Sequence, residues 1–150
     1  MADIIIREAT NKDIPVLLGL FYELGRPKPQ DDSDVEKFRN LVKKYISDPE
    51  KKILVVILDG VQIVGAVSVM FLPRLNQTSH EMYIPELIVI EKFQNQGFGK
   101  KLIESCISLA NEKKCHRIRL ESGNIRKKSH EFYKRLGFEQ HALSFTKNLQ

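Results

Sequence analysis

Cysteine is scarce in this sequence, and no hydrophobic run in it is long enough to cross a membrane. The two cysteines, Cys106 and Cys115, are too few for a disulfide scaffold, which favours a reducing compartment. The longest purely aliphatic run, Ile53 to Leu58, is far shorter than the roughly 20 residues of a transmembrane helix. An acidic residue, Asp3, stands where a signal peptide carries cations. We therefore expect a soluble, cytoplasmic protein without a membrane partner.

Linkers, internal repeats and low-complexity tracts are also missing from the 150 residues. Hydrophobic residues make up 42% of the sequence, which suits one compact core at this length. We therefore expect residues 1–150 to form a single domain.

Positive charge is concentrated in one stretch. The formal net charge is +5, but residues 92–135 hold 12 basic and four acidic side chains, a local charge of +8. Such asymmetry favours an anionic partner near the second half of the chain, although a charge run is also typical of a solvated face. The sequence has neither an aromatic RNA-binding strand nor a helix-turn-helix pattern, so we expect no nucleic-acid partner.

The hydrophobic periodicity changes several times along the chain. It predicts strands at 3–8, 53–58, 61–71, 81–90, 116–121 and 141–147 and helices at 10–24, 33–46, 97–113 and 127–136. Asp59-Gly60 predicts a hairpin turn, and Ser33 to Glu36 has capping-box spacing. This order describes an α/β domain with a mixed sheet.

A glycine-rich segment lies between the apolar strand at 81–90 and the helix at 97–113. Gln94-x-x-Gly97-x-Gly99 leads into the helix, an arrangement that presents backbone N–H groups and a positive helix end to an anion. Leu102 stands where a dinucleotide fingerprint needs glycine, and Lys101 stands where a P-loop needs Ser or Thr. Those two phosphate loops are excluded, while a plain tight turn remains the alternative.

Two further motifs follow in order, Asn124 after the next strand and the run from Phe132 to Phe138. Together with the glycine segment, they resemble the GCN5-related N-acetyltransferases (GNAT). The resemblance implies a mixed, mostly antiparallel central sheet of about six to seven strands flanked by about four helices, with splayed central strands. Residues 86–147 are also similar to bacterial aminoalkylphosphonate and small-amine acetyltransferases.

The resemblance implies acetyl-CoA as the cofactor. In the family, backbone amides of the glycine loop bind the pyrophosphate and the pantetheine arm pairs beside the preceding strand. The cofactor-binding residues implied here are Leu87, Ile88, Val89, Gln94, Asn95, Gln96, Gly97, Phe98, Gly99, Lys100 and Asn124. Arg126, Lys127 and Lys128 are placed to meet the outer phosphate.

Acetyl transfer to an amine needs a base, an oxyanion donor and an acid for the thiolate. Glu86 is the candidate base, since strict alternation places it on the apolar face of Ile84, Ile88 and Ile90. An ion pair with a nearby cation is the alternative for Glu86. Tyr133 is the candidate acid, with a place in the core stripe of its helix as the alternative. The oxyanion donor is expected to be a main-chain N–H near Ile88, where the strand bulges.

Other residues are assigned more simply. Tyr22, Arg26, Arg74 and Tyr83 fall in segments that border the acceptor cleft in the family, with surface packing as the alternative for each. The four histidines have no metal-ligand spacing with the cysteines, so we expect no metal. Cys106 lies at helical spacing from Leu102 and Ala110 and is expected in the core.

We therefore expect an acetyl-CoA-dependent N-acetyltransferase that acts on a small primary amine by direct transfer in a ternary complex. The alternatives are a noncatalytic acyl-CoA-binding regulator and an acetyltransferase of protein amino termini or lysines. A homodimer is expected only by analogy with the family.

Overall fold

A computed structural model describes residues 2–149 of the chain. The chain divides into two compact units, residues 1–119 and residues 120–150.

The described chain contains six strands, four α-helices and two short 3-10 segments. The strands are β1 (Ile4–Glu8), β2 (Lys51–Leu58), β3 (Gln62–Pro73), β4 (His80–Ile84), β5 (Leu87–Val89) and β6 (Ile118–Leu120). The helices are α1 (Ile14–Leu24), α2 (Asp32–Ser47), α3 (Phe98–Glu112) and α4 (Lys127–Arg135). The strands form one sheet in the order β1-β2-β3-β4-β6, and β5 also pairs with β3.

The sheet is mostly antiparallel, which confirms the predicted fold class. β1 with β2, β2 with β3, and β3 with both β4 and β5 are antiparallel pairs. The His116 N–H donates to the His80 carbonyl and the Met82 N–H donates to the Arg117 carbonyl, so the contacts advance along both segments in the same direction. β6 therefore runs parallel to β4 and makes the sheet mixed.

The segment predicted as one strand at 81–90 is interrupted at Pro85 and Glu86. Tyr83 pairs with Met70 of β3, and Leu87 pairs with Val67. Three residues therefore lie between the paired positions in the β4–β5 segment, but only two lie between their partners in β3. This mismatch defines a β-bulge. β4 and β5 are the two arms of this bulge.

The bulge corrects the expectation of strict alternation. Paired residues share a face, so Tyr83 lies on the face of Met70, and Ile84 lies on the opposite face. Ser68 is on the face of Met70, and its hydroxyl contacts Glu86. Glu86 therefore does not share a face with Ile84, because the extra residue at the bulge reverses the alternation.

The core on one side of the sheet is built by α1 and α2. Leu17, Leu20, Phe38 and Val42 pack in one cluster with residues of β2, β3 and β5, among them Ala66 and Ile88. Phe21 and Phe38 meet edge to face with ring centroids 5.9 Å apart. These contacts fix the two helices over the face that carries Ser68.

Several element boundaries differ by a few residues from the sequence expectations. α2 begins at Asp32 rather than at Ser33, because the Asp31 carboxylate accepts a hydrogen bond from the Asp34 N–H and caps the helix two residues before Ser33. The strand expected at 141–147 is wrong, since residues 138–149 have no strand assignment. Leu143 and Phe145 are exposed, so no apolar face orders this segment.

No helix within residues 2–149 is both long enough and apolar enough to cross a lipid bilayer.

Candidate functional site

Glu86 is held in the bulge by a buried serine. The Ser68 Oγ donates to Glu86 Oε1 at 2.5 Å, and the Glu86 backbone N–H donates to the same Oγ at 3.1 Å. The Ser68 N–H donates to the Glu86 carbonyl at 3.0 Å. Ser68 is 2% exposed, so these three bonds fix Glu86 to β3. A reciprocal arrangement of this kind orients the carboxylate more tightly than one bond does.

Tyr45 of α2 lies beside this pair. Its hydroxyl donates to the Val69 carbonyl at 3.2 Å, in the residue next to Ser68. Burial raises the pKa of Tyr45, and the negative charge of Glu86 raises it further. Tyr45 is therefore a neutral hydrogen-bonding group at neutral pH.

Glu86 and Ser68 line a cavity of about 500 Å³ between α1, α2 and the sheet. Most of its lining is apolar, and its other charged residues are Arg26 and Lys51. Arg26 lies over the Phe38 ring at 4.6 Å and Lys51 lies over the Tyr45 ring at 5.4 Å. A cavity of this size with a few convergent polar groups is typical of a small-molecule site.

β5 has an open outer edge. The Ser68 N–H donates to the Glu86 carbonyl and the Ile90 N–H donates to the Val64 carbonyl, so alternate residues face β3. Ile88 also faces β3, and its carbonyl lies 2.8 Å from where a Cβ at Gly65 would stand. Leu87 and Val89 therefore point their backbone groups away from β3. Within residues 2–149, no strand pairs with that outer edge.

This geometry sharpens the expected position of the oxyanion donor. The backbone N–H of Ile88 is directed at β3, whereas those of Leu87 and Val89 are directed at the open edge. The Val89 carbonyl already accepts a bond from the Gln94 side chain at 3.0 Å. The N–H groups of Leu87 and Val89 are thus the candidates for contact with a ligand at this edge.

The glycine segment opens directly onto α3. Gly97 is the residue before the helix and has φ 89°, a left-handed conformation that glycine adopts without strain. The first α-helical bond is donated by the Lys101 N–H to the Gly97 carbonyl at 3.1 Å. In the described chain, no side chain caps this helix start. The amides of Phe98, Gly99 and Lys100 therefore precede the helical hydrogen bonds and suit an anion.

Side-chain amides support the same loop. Gln94 bonds the Val89 carbonyl, and the Gln96 side chain donates to the Lys92 carbonyl at 3.1 Å. Asn95 has φ 63°, a conformation that asparagine tolerates better than most residues. Phe98 is buried and packs edge to face on Phe93 at 6.0 Å. The side chains of the two glutamines thus stabilise the loop, and Asn95 contributes a left-handed backbone conformation to it.

Asn124 and Tyr133 lie in the second unit. Asn124 falls in a turn in which the Arg126 N–H donates to the Gly123 carbonyl. Tyr133 of α4 contacts the rings of Phe132 and Phe138 at 5.1 and 5.8 Å. Burial raises the pKa of Tyr133, and the positive charge of Arg126 opposes that shift. The phenol therefore keeps its proton at neutral pH.

The four residues expected near an acceptor separate into two groups. Arg26 lines the cavity of Glu86, and Tyr22 and Arg26 line a neighbouring cavity of about 400 Å³. Arg74 instead directly follows β3, and Tyr83 lies near the end of β4. The Arg74 Nη1 donates to Glu81 at 3.1 Å, and the Arg119 guanidinium lies 4.5 Å from the centre of the Tyr83 ring.

Glu81 is a second carboxylate that the sequence did not single out. Its side chain is fully buried and accepts bonds from Arg117 Nε and Arg119 Nε, each at 2.8 Å, besides Arg74. Burial alone would raise its pKa, but the hydrogen bonds from Arg119 and Arg117 lower the pKa of Glu81 to about 2. Glu81 therefore stays ionised at neutral pH.

Sequence reasoning also missed Ser68 and Tyr45. A polar residue within the otherwise apolar run of β3 was the available signal for Ser68. Nothing in the sequence indicated the contact of Tyr45 with β3.

Cys106 lies in the core, as expected. Cys106 is fully buried, and burial raises the pKa of its thiol to about 12, which makes it an inert core residue. Among residues 2–149, no three His, Cys, Asp or Glu side chains are grouped to hold a metal ion. The absence of a metal stays a prediction.

Comparisons with known proteins agree with this geometry. The model of the acetyltransferase (GNAT) family matches residues 17–138, and the chain belongs to that family. It is a GNAT N-acetyltransferase.

The relatives include an aminoalkylphosphonate N-acetyltransferase of Salmonella typhimurium, 26% identical over 144 residues, with 96% of this chain and 90% of the relative covered. A crystal structure of a transcriptional regulator from Bacillus halodurans superposes with a TM-score of 0.85 at 25% identity, covering 98% of this chain and all of that chain. An aminoglycoside N-acetyltransferase in complex with CoA shares the fold, with a TM-score of 0.84 at 17% identity over 100% of this chain and 97% of its own.

Proposed function

We propose that this enzyme transfers an acetyl group from acetyl-CoA to the primary amine of a small molecule, directly and within a ternary complex. The observation that carries the proposal is the bulge in the β4–β5 segment. It fixes the Glu86 carboxylate against Ser68 in a cavity and leaves the outer edge of β5 open.

The cofactor would bind along backbone groups of the first unit. The diphosphate of acetyl-CoA suits the amides of Phe98, Gly99 and Lys100, because a helix start without a cap attracts anions. The outward groups of Leu87 and Val89 suit the amides of the pantetheine arm, as an added strand would. Gln94 and Gln96 support the loop between these two places.

Glu86 would remove a proton from the acceptor amine, directly or through a water molecule. The amine nitrogen then attacks the thioester carbonyl carbon and forms a carbon–nitrogen bond. The π electron pair of the carbonyl group moves to its oxygen. An outward N–H of Leu87 or Val89 would stabilise that oxyanion. The nitrogen, which carries an extra proton after the attack, loses that proton to water. Collapse of the intermediate then reforms the carbonyl and breaks the carbon–sulfur bond, and the sulfur leaves as a thiolate.

Tyr133 would protonate the departing thiolate. Its raised pKa keeps the phenol protonated at neutral pH, so a proton is available when the sulfur leaves. Asn124, Arg126, Lys127 and Lys128 are proposed to assist cofactor binding because of the family resemblance. A cytoplasmic location and a homodimer stay predictions from the sequence.

A small molecule is favoured over a protein acceptor because Glu86 lies in a cavity of about 500 Å³ with a largely apolar lining. The test measures thiol release from acetyl-CoA with a panel of primary amines, polyamines, amino acids and a peptide amino terminus. Turnover with a small amine and little with the peptide is expected. Tight CoA binding without turnover of any amine would contradict the proposal and favour a regulatory domain.

A further inference from the structure

The cavity that holds Glu86 contains a single carboxylate among its lining residues. Its two cations, Arg26 and Lys51, are not equivalent. The Lys51 ammonium lies 3.7 Å from the Asp48 carboxylate, which compensates its charge. Arg26 is exposed and lies over the Phe38 ring at 4.6 Å. The cavity therefore offers one carboxylate to the ammonium group of an acceptor and no second carboxylate to another.

One face of α2 forms a largely apolar wall of this cavity. Four of its residues line the cavity and stand three, four and seven positions apart, which places them on one side of a helix. They are called the α2 wall below and are Phe38, Leu41, Val42 and Tyr45. Leu41 is 53% exposed although its side chain is large and apolar. It therefore presents apolar surface that a molecule bound in the cavity would cover.

The α2 wall extends away from Glu86. Tyr45 is its near end, because the Tyr45 hydroxyl bonds the backbone of β3 beside Ser68, and Ser68 bonds Glu86. Phe38 is its far end and lies about 10 Å further along the helix axis. Leu41 stands about 6 Å from the near end. An amine whose nitrogen contacts Glu86 therefore has room to extend its body beside the wall as far as Leu41.

Apolar contact along this wall outweighs the exposed charge at its far end. Each methylene removed from water raises affinity about 4-fold, so several of them together raise it far more. An exposed ion pair contributes at most about 5-fold, and Arg26 is an exposed cation. A charged group on the body of the acceptor would also lose water beside Leu41 without gaining a partner of equal strength there.

We propose that the acceptor is a primary amine with a single charge and an apolar alkyl or aryl body, and that the α2 wall selects it. This inference rests on the proposed function, because it places the body of the same acceptor whose nitrogen contacts Glu86. Leu41 is the specificity-determining residue of the wall, since its exposed side chain contacts the body without belonging to the buried core.

The kinetic test compares four acceptors at constant ionic strength: n-pentylamine, ethylamine, 1,5-diaminopentane and 5-aminopentanoate. We expect kcat/KM for n-pentylamine to be at least about 10-fold higher than for each of the other three. A preference for the diamine or the amino acid, or equal values for ethylamine and n-pentylamine, overturns the apolar body as the selected feature. Turnover of any of the four leaves the acetyltransferase proposal intact.

Leu41→Glu tests the wall itself. The substitution removes apolar contact and places a carboxylate where a second ammonium group would lie. We expect the preference for n-pentylamine over 1,5-diaminopentane to fall about 10-fold, through KM. The matched control is Val61→Glu, which makes the same change at an apolar residue 87% exposed outside the cavity and keeps the wild-type preference.

An unchanged preference in Leu41→Glu, or an equal loss in Val61→Glu, overturns the assignment of the wall. Thermal melting verifies that both variants are folded.

A binding measurement tests the wall without turnover. In saturation-transfer NMR with CoA present, we expect saturation to reach the methyl end of n-pentylamine in wild type and in Val61→Glu and to fall in Leu41→Glu. Equal saturation in wild type and Leu41→Glu, or none in either, overturns the wall even if no amine is acetylated. Saturation as expected without acetylation of any amine supports the wall and contradicts the proposed function separately.

Discussion

Two carboxylates on one face of the sheet have opposite surroundings. Glu81 is buried among three arginines, which stabilise its charge. Glu86 is bound by the hydroxyl of Ser68, and no salt bridge to it occurs within residues 2–149. A carboxylate surrounded by cations is a poor base because taking up a proton would break its ion pairs. The difference favours a structural role for Glu81 and agrees with the proposed role of Glu86 in proton transfer.

The largest expected effect comes from Glu86→Gln. The amide retains most of the shape of the side chain but cannot accept the proton of the amine, so we expect kcat to fall about 1000-fold. Steady-state thiol release measures this, and acetyl-CoA affinity should be unchanged. Glu104→Gln, on the exposed side of α3, is the matched control. A fall in kcat of less than a few-fold would show that Glu86, like Glu81, is not the base.

Tyr133→Phe tests whether the Tyr133 hydroxyl donates a proton to the departing thiolate, a step that Glu86 is not proposed to perform. The ring contacts with Phe132 and Phe138 are retained, so the fold should be unaffected. Without the hydroxyl, we expect the release of CoA thiol to slow about 100-fold while cofactor binding changes little. Rapid-mixing measurements of thiol release report this step. Loss of cofactor binding with normal thiol release would contradict the role of proton donor.

Glu81→Gln should affect stability at neutral pH. Its folded pKa lies below the unfolded value, so its contribution to stability is present above about pH 4.5 and is lost as the pH falls toward about 2. We expect a loss of about 2 kcal/mol at pH 7, less than for a fully buried pair because the arginines are partly exposed. Urea unfolding should show that the difference in the free energy of unfolding between wild type and variant becomes smaller from pH 5 to pH 3. A difference that does not change with pH would show that Glu81 contributes no ionic stabilisation.

The smallest effect is expected from Ser68→Ala. Removal of the hydroxyl leaves the Glu86 carboxylate without its donor and loosens its orientation, so we expect kcat to fall about 10-fold. Tyr45→Phe is the companion variant, because it removes the bond to Val69 and keeps the bond between Ser68 and Glu86. A larger fall in kcat in Tyr45→Phe than in Ser68→Ala would contradict the proposal that the Ser68 hydroxyl orients the Glu86 carboxylate.

Local signals in the sequence predicted much of the fold. The helical stripes, the turn at Asp59-Gly60 and the glycine segment before α3 depend on neighbouring residues, and the structure has each of them. The bulge at Pro85 was not predicted, because it is defined by pairing with β3, a segment far away in the sequence. The prediction of a strand at 141–147 was wrong for a similar reason. A short segment with alternating apolar residues forms a strand only where it pairs with the edge of a sheet, and the local sequence does not determine that pairing.

The candidate site divides in the same way. Glu86 and the glycine loop were predicted as site residues from the sequence, the loop from its motif and Glu86 from strand alternation. These assignments stay predictions. The bonds of Ser68 to Glu86, of Tyr45 to Val69 and of three arginines to Glu81 were missed, because they arise from strand register and packing. The sequence showed the positive charge of residues 92–135 but not that Arg117 and Arg119 bond a carboxylate outside that stretch.

The most direct test of Glu86 as the base is the pH dependence of kcat/KM in wild type and in Glu86→Gln with one amine acceptor. A base that accepts the amine proton gives a rate that rises with pH, and the account predicts that this rise flattens in the variant. The same rise in both proteins would contradict proton removal by Glu86.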